Sequence, residues 1–394
     1  MLMGVRLPTP SKEENGYELS KSSVNYIYVD STDQLEAMAQ ACRVVDVLAV
    51  DTEFARFNTY YPIVGLVQIY TGKACYLIDP LDIEDLGPLA ELLVDQSILK
   101  VFHACSEDME VFQHALGIVP SPVFDTQISG AVLGVGFSMG YQAMVEHYLD
   151  ISLPKDQTRS DWLARPLSSD QLDYAALDVI HLLQVYEKQF LALEESSKQA
   201  WVEAESLALG RDIPTMIDPE LYYIKIKGLW QLDRKQLNLL RTLCAWREQT
   251  ARTENKPRNR IVDQKALVTI VRQGIDDRQG FQQEAKMTPR QVRKYADNIL
   301  FLMDEANLVP ENECPPKVKR EDTPVSSTKL NHLRQIVEQR AEALTVAPEL
   351  LTKRRHLEKL IRSGNGSAGY QLPEELLGWR EQAIGQALLE ALAE

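Results

Sequence analysis

The residues of this sequence best equipped for chemistry are carboxylates, and they fall in three places. An apolar run, Val47-Leu48-Ala49-Val50, leads straight into Asp51-Thr52-Glu53-Phe54. Side chains two apart on a strand point the same way, so Asp51 and Glu53 share a face. Burying two like charges together is costly unless a cation holds them, and a divalent metal ion is the common answer. Asp108 falls in the first turn of a helix entered from a strand, with Ser106 as its expected N-cap, where backbone N–H groups favour a carboxylate. Tyr174 and Asp178 are i and i+4 neighbours in a helical stretch and project side by side. Taken singly, these are a solvated strand end, a helix cap and a half-buried tyrosine beside a solvated aspartate. Taken together, the pattern DxE, then D, then Y-x3-D supplies hard oxygen ligands and a bridging carboxylate. Two Mg2+ or Mn2+ ions, about 3.5–4 Å apart, need such a set for phosphodiester hydrolysis. One ion lowers the pKa of the attacking water, the other stabilises the leaving 3′-oxygen, and a tyrosine hydroxyl can orient the water. The histidines have no nucleophile at a matching spacing and no glycine-rich phosphate loop is present, so those chemistries have no support.

The elements that must position these acids are legible as short β-branched runs followed by helical periodicity. Val44–Val50, Ile63–Tyr70 and Cys75–Ile78 read as an antiparallel meander, and Leu99–Phe102 as a further strand. Helical patterns cover Asp82–Leu93, Ser106 to about Leu116, Gly140–Tyr148, Ser169–Leu193 and Lys198–Ala208. This predicts an α/β domain over residues 24–212, a mixed central sheet flanked by helices, after a polar tail at 1–23 expected to be disordered. Beyond Asp212 the strand signals vanish. A linker is expected at 213–228, an all-α domain at 229–309, a second linker at 310–328 and a second helical domain at 329–394. An internal repeat supports the pair of helical domains. Leu240-Arg241-x-Leu243-x3-Arg247 matches Leu333-Arg334-x-Ile336-x3-Arg340, and Leu267-x2-Ile270-Val271-Arg272-x-Gly274 matches Leu357-x2-Leu360-Ile361-Arg362-x-Gly364.

Charge sharpens the division. With 42 Lys and Arg against 57 Asp and Glu, the net charge of −15 argues at first sight against a nucleic-acid partner. The excess is uneven, however: residues 1–200 carry 12 basic and 29 acidic side chains, residues 201–394 carry 30 and 28. No run reaches the roughly 18 apolar residues that span a bilayer. The N-terminus has no apolar core of a secretory signal, and the five cysteines lie far apart without CxxC spacing. A cytoplasmic protein with reduced thiols is the expectation.

The motifs Val50-Asp-Thr-Glu-Phe54, Phe102-His-Ala-Cys-Ser-Glu-Asp-Met-Glu-Val-Phe112 and Tyr174-Ala-Ala-Leu-Asp-Val179 occur in order. Between the last two lies Lys155-x-Gln157-x2-Ser160-Asp161-Trp162-x2-Arg165-Pro166-Leu167. In these the chain closely resembles the bacterial ribonuclease D family, of the tyrosine subclass of the DEDD exonuclease superfamily, and its helical repeats resemble HRDC domains. The resemblance implies an RNase H-like nuclease fold followed by two small all-α HRDC domains. It also implies 3′→5′ hydrolysis of RNA to 5′-mononucleotides, with precursor tRNA as the substrate class. By the same resemblance Asp51, Glu53, Asp108 and Asp178 are the ligands of two divalent metal ions, and Tyr174 orients the water. Competing readings are a DNA 3′→5′ exonuclease and a non-catalytic RNA-binding scaffold.

Further candidates surround this set. His103 could approach the scissile end or serve as a core histidine, and Gln68 could brace the site or lie on a solvated strand face. Phe57, Tyr60 and Tyr61 could stack terminal bases, each worth about 1–3 kcal/mol. Lys155, Arg159 and Arg165 are candidate phosphate contacts near the acids. Arg252, Lys256, Arg258 and Arg260 form a basic run in the first helical repeat, where residues 241–300 carry 13 basic and 7 acidic side chains. An RNA-backbone role is expected for this run. Lys353, Arg354 and Arg355 are the weaker counterpart in the second repeat.

Overall fold

Short apolar runs pair into one mixed six-stranded sheet in the computed structural model. It describes residues 24–153, 160–210, 213, 217–318, 325–364 and 369–393. The strands are β1 (Ile27–Val29), β2 (Val47–Ala55), β3 (Ile63–Tyr70), β4 (Cys75–Ile78), β5 (Leu99–Phe102) and β6 (Val123–Asp125). Their order is β1-β4-β3-β2-β5-β6. β5 runs parallel to both β2 and β6, β1 is parallel to β4, and β3 and β4 are antiparallel. β1 and β6, three residues each, are too short to leave a periodic signal, and the sequence reading missed them. β2 runs on through Asp51 and Glu53 to Ala55, so both acids stand on the strand as their spacing requires.

Every residue of β4 and β5 is buried, as expected of strands covered on both faces. The helices of this part are α1 (Thr32–Cys42), α2 (Gly87–Val94), α3 (Ser106–Ala115), α4 (Thr126–Val132), α5 (Tyr141–Leu149), α6 (Ser169–Ser196) and α7 (Gln199–Leu209). A capping box between Ser168 and Gln171 starts the long helix α6. Its stripe Ala175, Ala176, Val179, Leu182, Leu183 and Tyr186 shares one core cluster with Ala49, Leu66, Leu77 and Val101 of the sheet. Small residues at 175 and 176 let that helix lie close to the strands, with Tyr174 and Asp178 beside the stripe. All five cysteines are buried and unpaired.

The segment before α6 is pinned by Arg165. Its guanidinium donates from Nε and Nη2 to both oxygens of Asp79, at 2.5 and 2.6 Å, and also to the carbonyls of Gly65, Trp162 and Ala164. Asp79 is fully buried and accepts from the Tyr28 hydroxyl as well. Gly65 is required beneath this segment, since a Cβ there would stand 2.5 Å from the Trp162 carbonyl oxygen. Arg165 is therefore a structural clamp, not the expected phosphate contact, and Lys155 and Arg159 lie outside the described residues.

The described residues divide into two compact units. One lies within Met1–Ala55, Val64–Arg211 and Val325–Glu394, the other within Arg56–Ile63 and Asp212–Pro324. The second contains α8 (Arg234–Thr253), α9 (Arg258–Ile261), α10 (Gln264–Gln273), α11 (Arg278–Gln283) and α12 (Pro289–Leu308). The described part of the expected linker at 213–228 is packed into this unit: a 3-10 helix at Pro219–Lys225 brings in Tyr222, and Ile226 joins the same core as Leu240 and Leu267. The β2–β3 loop also belongs to it, through Tyr60. The C-terminal repeat, α13 (Ser327–Leu344), α14 (Pro348–Leu351), α15 (Arg354–Ser363) and α16 (Gln386–Ala393), does not stand as a body of its own. It docks on the nuclease unit, with Trp379 stacked on Trp201 at 4.6 Å and Arg380 paired bidentately with Glu205 at 2.6 and 2.7 Å. The order long helix, short helix, ten-residue helix recurs in both repeats, with Leu240 and Leu333, and Ile270 and Leu360, all fully buried.

Replacing Arg165 would strand a buried carboxylate. Arg165→Met is expected to lower unfolding free energy by about 3–5 kcal/mol, the usual cost of removing one partner of a buried pair. Chemical denaturation checks this, and RNA affinity of the folded variant should be unchanged.

Candidate active site

Strand β2 and helix α6 bring three acids together. One carboxylate oxygen each from Asp51, Glu53 and Asp178 lies within 4.8 Å of the others. No cationic side chain pairs with any of them among the described residues, and the consequence is electrostatic. Burial, then the neighbouring charges of Asp108, Asp178 and Glu53, holds the Asp51 carboxyl well above its usual range. Glu53 is pushed up to about 9, by burial first and then by Asp178 and Asp108. Asp178 rises to about 7 through burial, opposed by its hydrogen bond with Tyr174. Three hard oxygen donors that strain against one another in this way fit a divalent cation, which would replace proton binding as the means of neutralising them.

Asp108 stands outside that trio. It projects from the first turn of α3, is buried, and accepts a hydrogen bond from the Thr52 hydroxyl, the residue between the two strand acids. Burial lifts it to about 7. Thr52 carries no signal in the sequence beyond its place in the motif, so nothing there announces its role. Nor is Ser106 the N-cap it was expected to be: Cys105 holds that position, and no side chain caps α3.

Tyr174 keeps its hydroxyl within hydrogen-bonding reach of Asp178, and its pKa is raised by burial and by Asp178, Glu53 and Asp51. The phenol is therefore held protonated, fit to accept or donate a hydrogen bond and unfit to act as a base. Its ring lies 6.2 Å from that of Trp162, in the segment that Arg165 clamps. Tyr141, at the start of α5, is a site neighbour that sequence reading missed. Its pKa is raised by burial and by Asp178, Asp51 and Tyr174, and its hydroxyl donates to the Leu177 carbonyl at 3.1 Å. Nothing in its local sequence marks it.

The other candidates fall differently. His103 has both ring nitrogens engaged, Nδ1 with the Thr126 hydroxyl at 2.9 Å and Nε2 with the Met139 carbonyl at 3.1 Å, so it braces the fold. Gln68 is fully buried, which removes the solvated-face reading, and neither amide atom has a protein partner among the described residues. Tyr60 is buried in the helical unit, not open for base stacking: its hydroxyl bonds to Glu248, and Arg252 and Arg258 donate to it at 3.2 and 3.1 Å. Tyr61 packs edge-on against it at 4.7 Å. Phe57 remains 88% exposed. Arg252 and Arg258 are ion-paired with buried Glu248, and Lys256 with Glu254 at 2.8 Å, so these three are not the free basic run expected. Arg260 is exposed.

A mixed sheet presenting converging carboxylates and a tyrosine defines a nuclease site, and the comparisons specify the class. Residues 26–193 match the family described as 3'-5' exonuclease, and residues 236–302 match the HRDC domain. The ribonuclease D of Pseudomonas paraeruginosa is 44% identical over 359 residues, 90% of this chain and 95% of its own. That of Escherichia coli is 34% identical over 376 residues, 94% of this chain and 99% of its own. The crystal structure of Escherichia coli RNase D, described as an exoribonuclease involved in structured RNA processing, superposes with a TM-score of 0.86. It shares 33% identity and covers 94% of this chain and 99% of that one. The chain belongs to the ribonuclease D family; it is a 3′-5′ exoribonuclease. No helix among the described residues is long and apolar enough to cross a membrane.

Linkage gives the site a measurable signature. Unfolded carboxyls ionise near 4, whereas folded Asp108 and Asp178 ionise near 7 and Glu53 near 9. The folded state thus holds these protons more tightly, and stability is lost as pH rises from about 4 through 7 to 9. Metal-free protein is expected to melt lower at pH 8 than at pH 5. Millimolar Mg2+ should raise the melting temperature more at pH 8, where fewer protons compete. Thermal melts with and without Mg2+ check this; an equal Mg2+ effect at both pH values would contradict it.

Proposed function

We propose that this exoribonuclease trims 3′ extensions of precursor tRNAs and releases 5′-mononucleotides with two divalent ions at one site. The observation that carries the reading is the convergence of Asp51, Glu53 and Asp178 within 4.8 Å, with Tyr174 bonded to the last of them. Asp51, Glu53 and Asp178 would hold the ions together with Asp108, the fourth ligand, which reaches them from the first turn of α3. When bound, the ions lower the pKa of a water and neutralise charge developing on the leaving 3′-oxygen. The protein does the rest. Tyr174, kept protonated by its acidic surroundings, orients the attacking water through its hydroxyl. The Trp162 ring beside it and the Arg165 clamp behind Trp162 limit where that hydroxyl can point. The named relatives, ribonucleases by name, favour RNA over DNA as the polymer. The full set of four acids and the tyrosine disfavours a non-catalytic scaffold.

RNA would be held by the helical unit, through a basic surface other than the one expected. Arg260, Lys286, Arg290 and Arg293 are exposed, and no ion pair engages them among the described residues. Arg290 and Arg293 sit in the first two turns of α12, at the positive end of its dipole. The C-terminal repeat reads as a second, diverged HRDC-like domain whose docking on the nuclease unit makes it structural.

Asp178→Ala is expected to abolish mononucleotide release from a 3′-extended tRNA while leaving tRNA binding within about twofold of wild type, since phosphate affinity rests elsewhere. Labelled-end assays with Mg2+ or EDTA, run beside single-stranded DNA, read polarity, product and polymer preference together. Persisting activity in the variant would defeat the metal assignment.

The double variant Arg290→Ala/Arg293→Ala should weaken RNA binding and lower the slope of log affinity against log salt by about 2. Arg252→Ala/Arg258→Ala should instead lower stability with little change in that slope.

A further inference from the structure

The turn that enters α3 is held from outside the helix, and this bears on Asp108. Ala104 has a left-handed backbone, φ 58°, although it is not glycine. α3 has no side-chain cap of its own, and its first helical hydrogen bond runs from the Met109 N–H to the Cys105 carbonyl, at 3.0 Å. Asp108 is bracketed by that bond. The other side of the Cys105 residue belongs to Asp125, at the end of β6, which is 2% exposed. One Asp125 oxygen accepts from the N–H of Cys105 at 2.9 Å. The other accepts from Ala104 at 3.1 Å, Gln127 at 2.8 Å and Ile128 at 3.3 Å, the last two at the start of α4. The neighbouring Thr126 hydroxyl donates to the Phe102 carbonyl at 3.1 Å, tying the same two chain segments together.

We infer that Asp125 is a positioning residue for the metal site: its carboxylate locks the left-handed β5–α3 turn and so fixes where Asp108 stands. The inference rests on the metal-site reading above. Four N–H donors converge on one side chain, and only an acceptor-only carboxylate serves them all. An asparagine is the same size but can keep just one oxygen. Turned to serve Ala104, Gln127 and Ile128, it sets its NH2 against the Cys105 N–H. The turn then loses its hold at the residue that anchors the first helical bond. Asp125 spends its oxygens on backbone N–H groups and bonds to none of the trio; it acts through Asp108.

The test uses Mn2+ alone as probe, with free ion counted by electron paramagnetic resonance on the full chain. Asp125→Asn should weaken Mn2+ binding by about tenfold or more, as loss of a group that orients a ligand does. kcat should fall while KM for a 3′-tailed tRNA stays unchanged. Glycine adopts a positive φ without steric cost, so Ala104→Gly in the Asp125→Asn background should recover much of the lost affinity. That double variant is the one to measure if the single one does not fold. Leu35→Ala, a buried change in α1, serves as the stability control and should lower the melting temperature without altering Mn2+ affinity. Unchanged Mn2+ affinity in Asp125→Asn, or no recovery when Ala104→Gly is added, overturns the inference. If wild-type protein itself binds no Mn2+, it is the metal-site reading that fails.

Discussion

Mutual repulsion of crowded, half-buried carboxylates is the constraint around which this molecule is arranged. Asp51, Glu53 and Asp178 share a space of a few ångströms with Asp108 close by, and no lysine, arginine or histidine pairs with the trio among the described residues. A fold relaxes such a cluster by turning side chains to water or drawing in a cation from its own chain. Here the acids reach water only in part and gain no cation among the described residues, because the elements on which they stand are rigid. β2 lies inside the sheet, α6 is packed against it along an unbroken apolar stripe, and α3 is pinned at its entry. The electrostatic strain is left for a divalent ion to relieve, and it is also what makes an ion bind.

The cations of the chain are used elsewhere, and each use is structural in a way that charge counting conceals. Arg165 commits its guanidinium to Asp79 and three carbonyls. Arg252 and Arg258 surround Glu248 and the Tyr60 hydroxyl, which fastens the β2–β3 loop into the helical unit. Arg380 holds the C-terminal repeat on Glu205. Arg260, Lys286, Arg290 and Arg293 are among the exposed cations that no ion pair engages among the described residues of the helical unit, with Lys227, Lys265, Arg272 and Lys317, and they leave a footing for phosphates.

How much of this was legible in the sequence follows from the range of each interaction. The DxE pair and the Tyr174–Asp178 pair are local, set by strand and helix periods, and the structure places each pair as those periods require. α6 was readable for the same reason. Thr52 bonding to Asp108, Tyr141 beside the acids, and Asp125 holding Ala104 and Cys105 join residues 20 or more positions apart, and no period reports them. The misread arginines share that cause. Arg165 finds Asp79 86 positions away, and Arg258 finds Tyr60 198 positions away, so a charge that reads as free is already engaged. The linker expected at 213–228 is not a free connection, because Tyr222 of its 3-10 turn and Ile226 just after it, spaced without helical period, are buried.

The central claim is that these acids exist to hold metal. Anomalous diffraction from crystals soaked in Mn2+ with a short 3′-terminal RNA tests it most directly. The account predicts two Mn2+ peaks about 3.5–4 Å apart, bounded by Asp51, Glu53, Asp108 and Asp178. The scissile phosphate should lie against both ions, with the Tyr174 hydroxyl facing a water. An acidic pocket without Mn2+ while RNA is bound, or ions held by other residues, would contradict it.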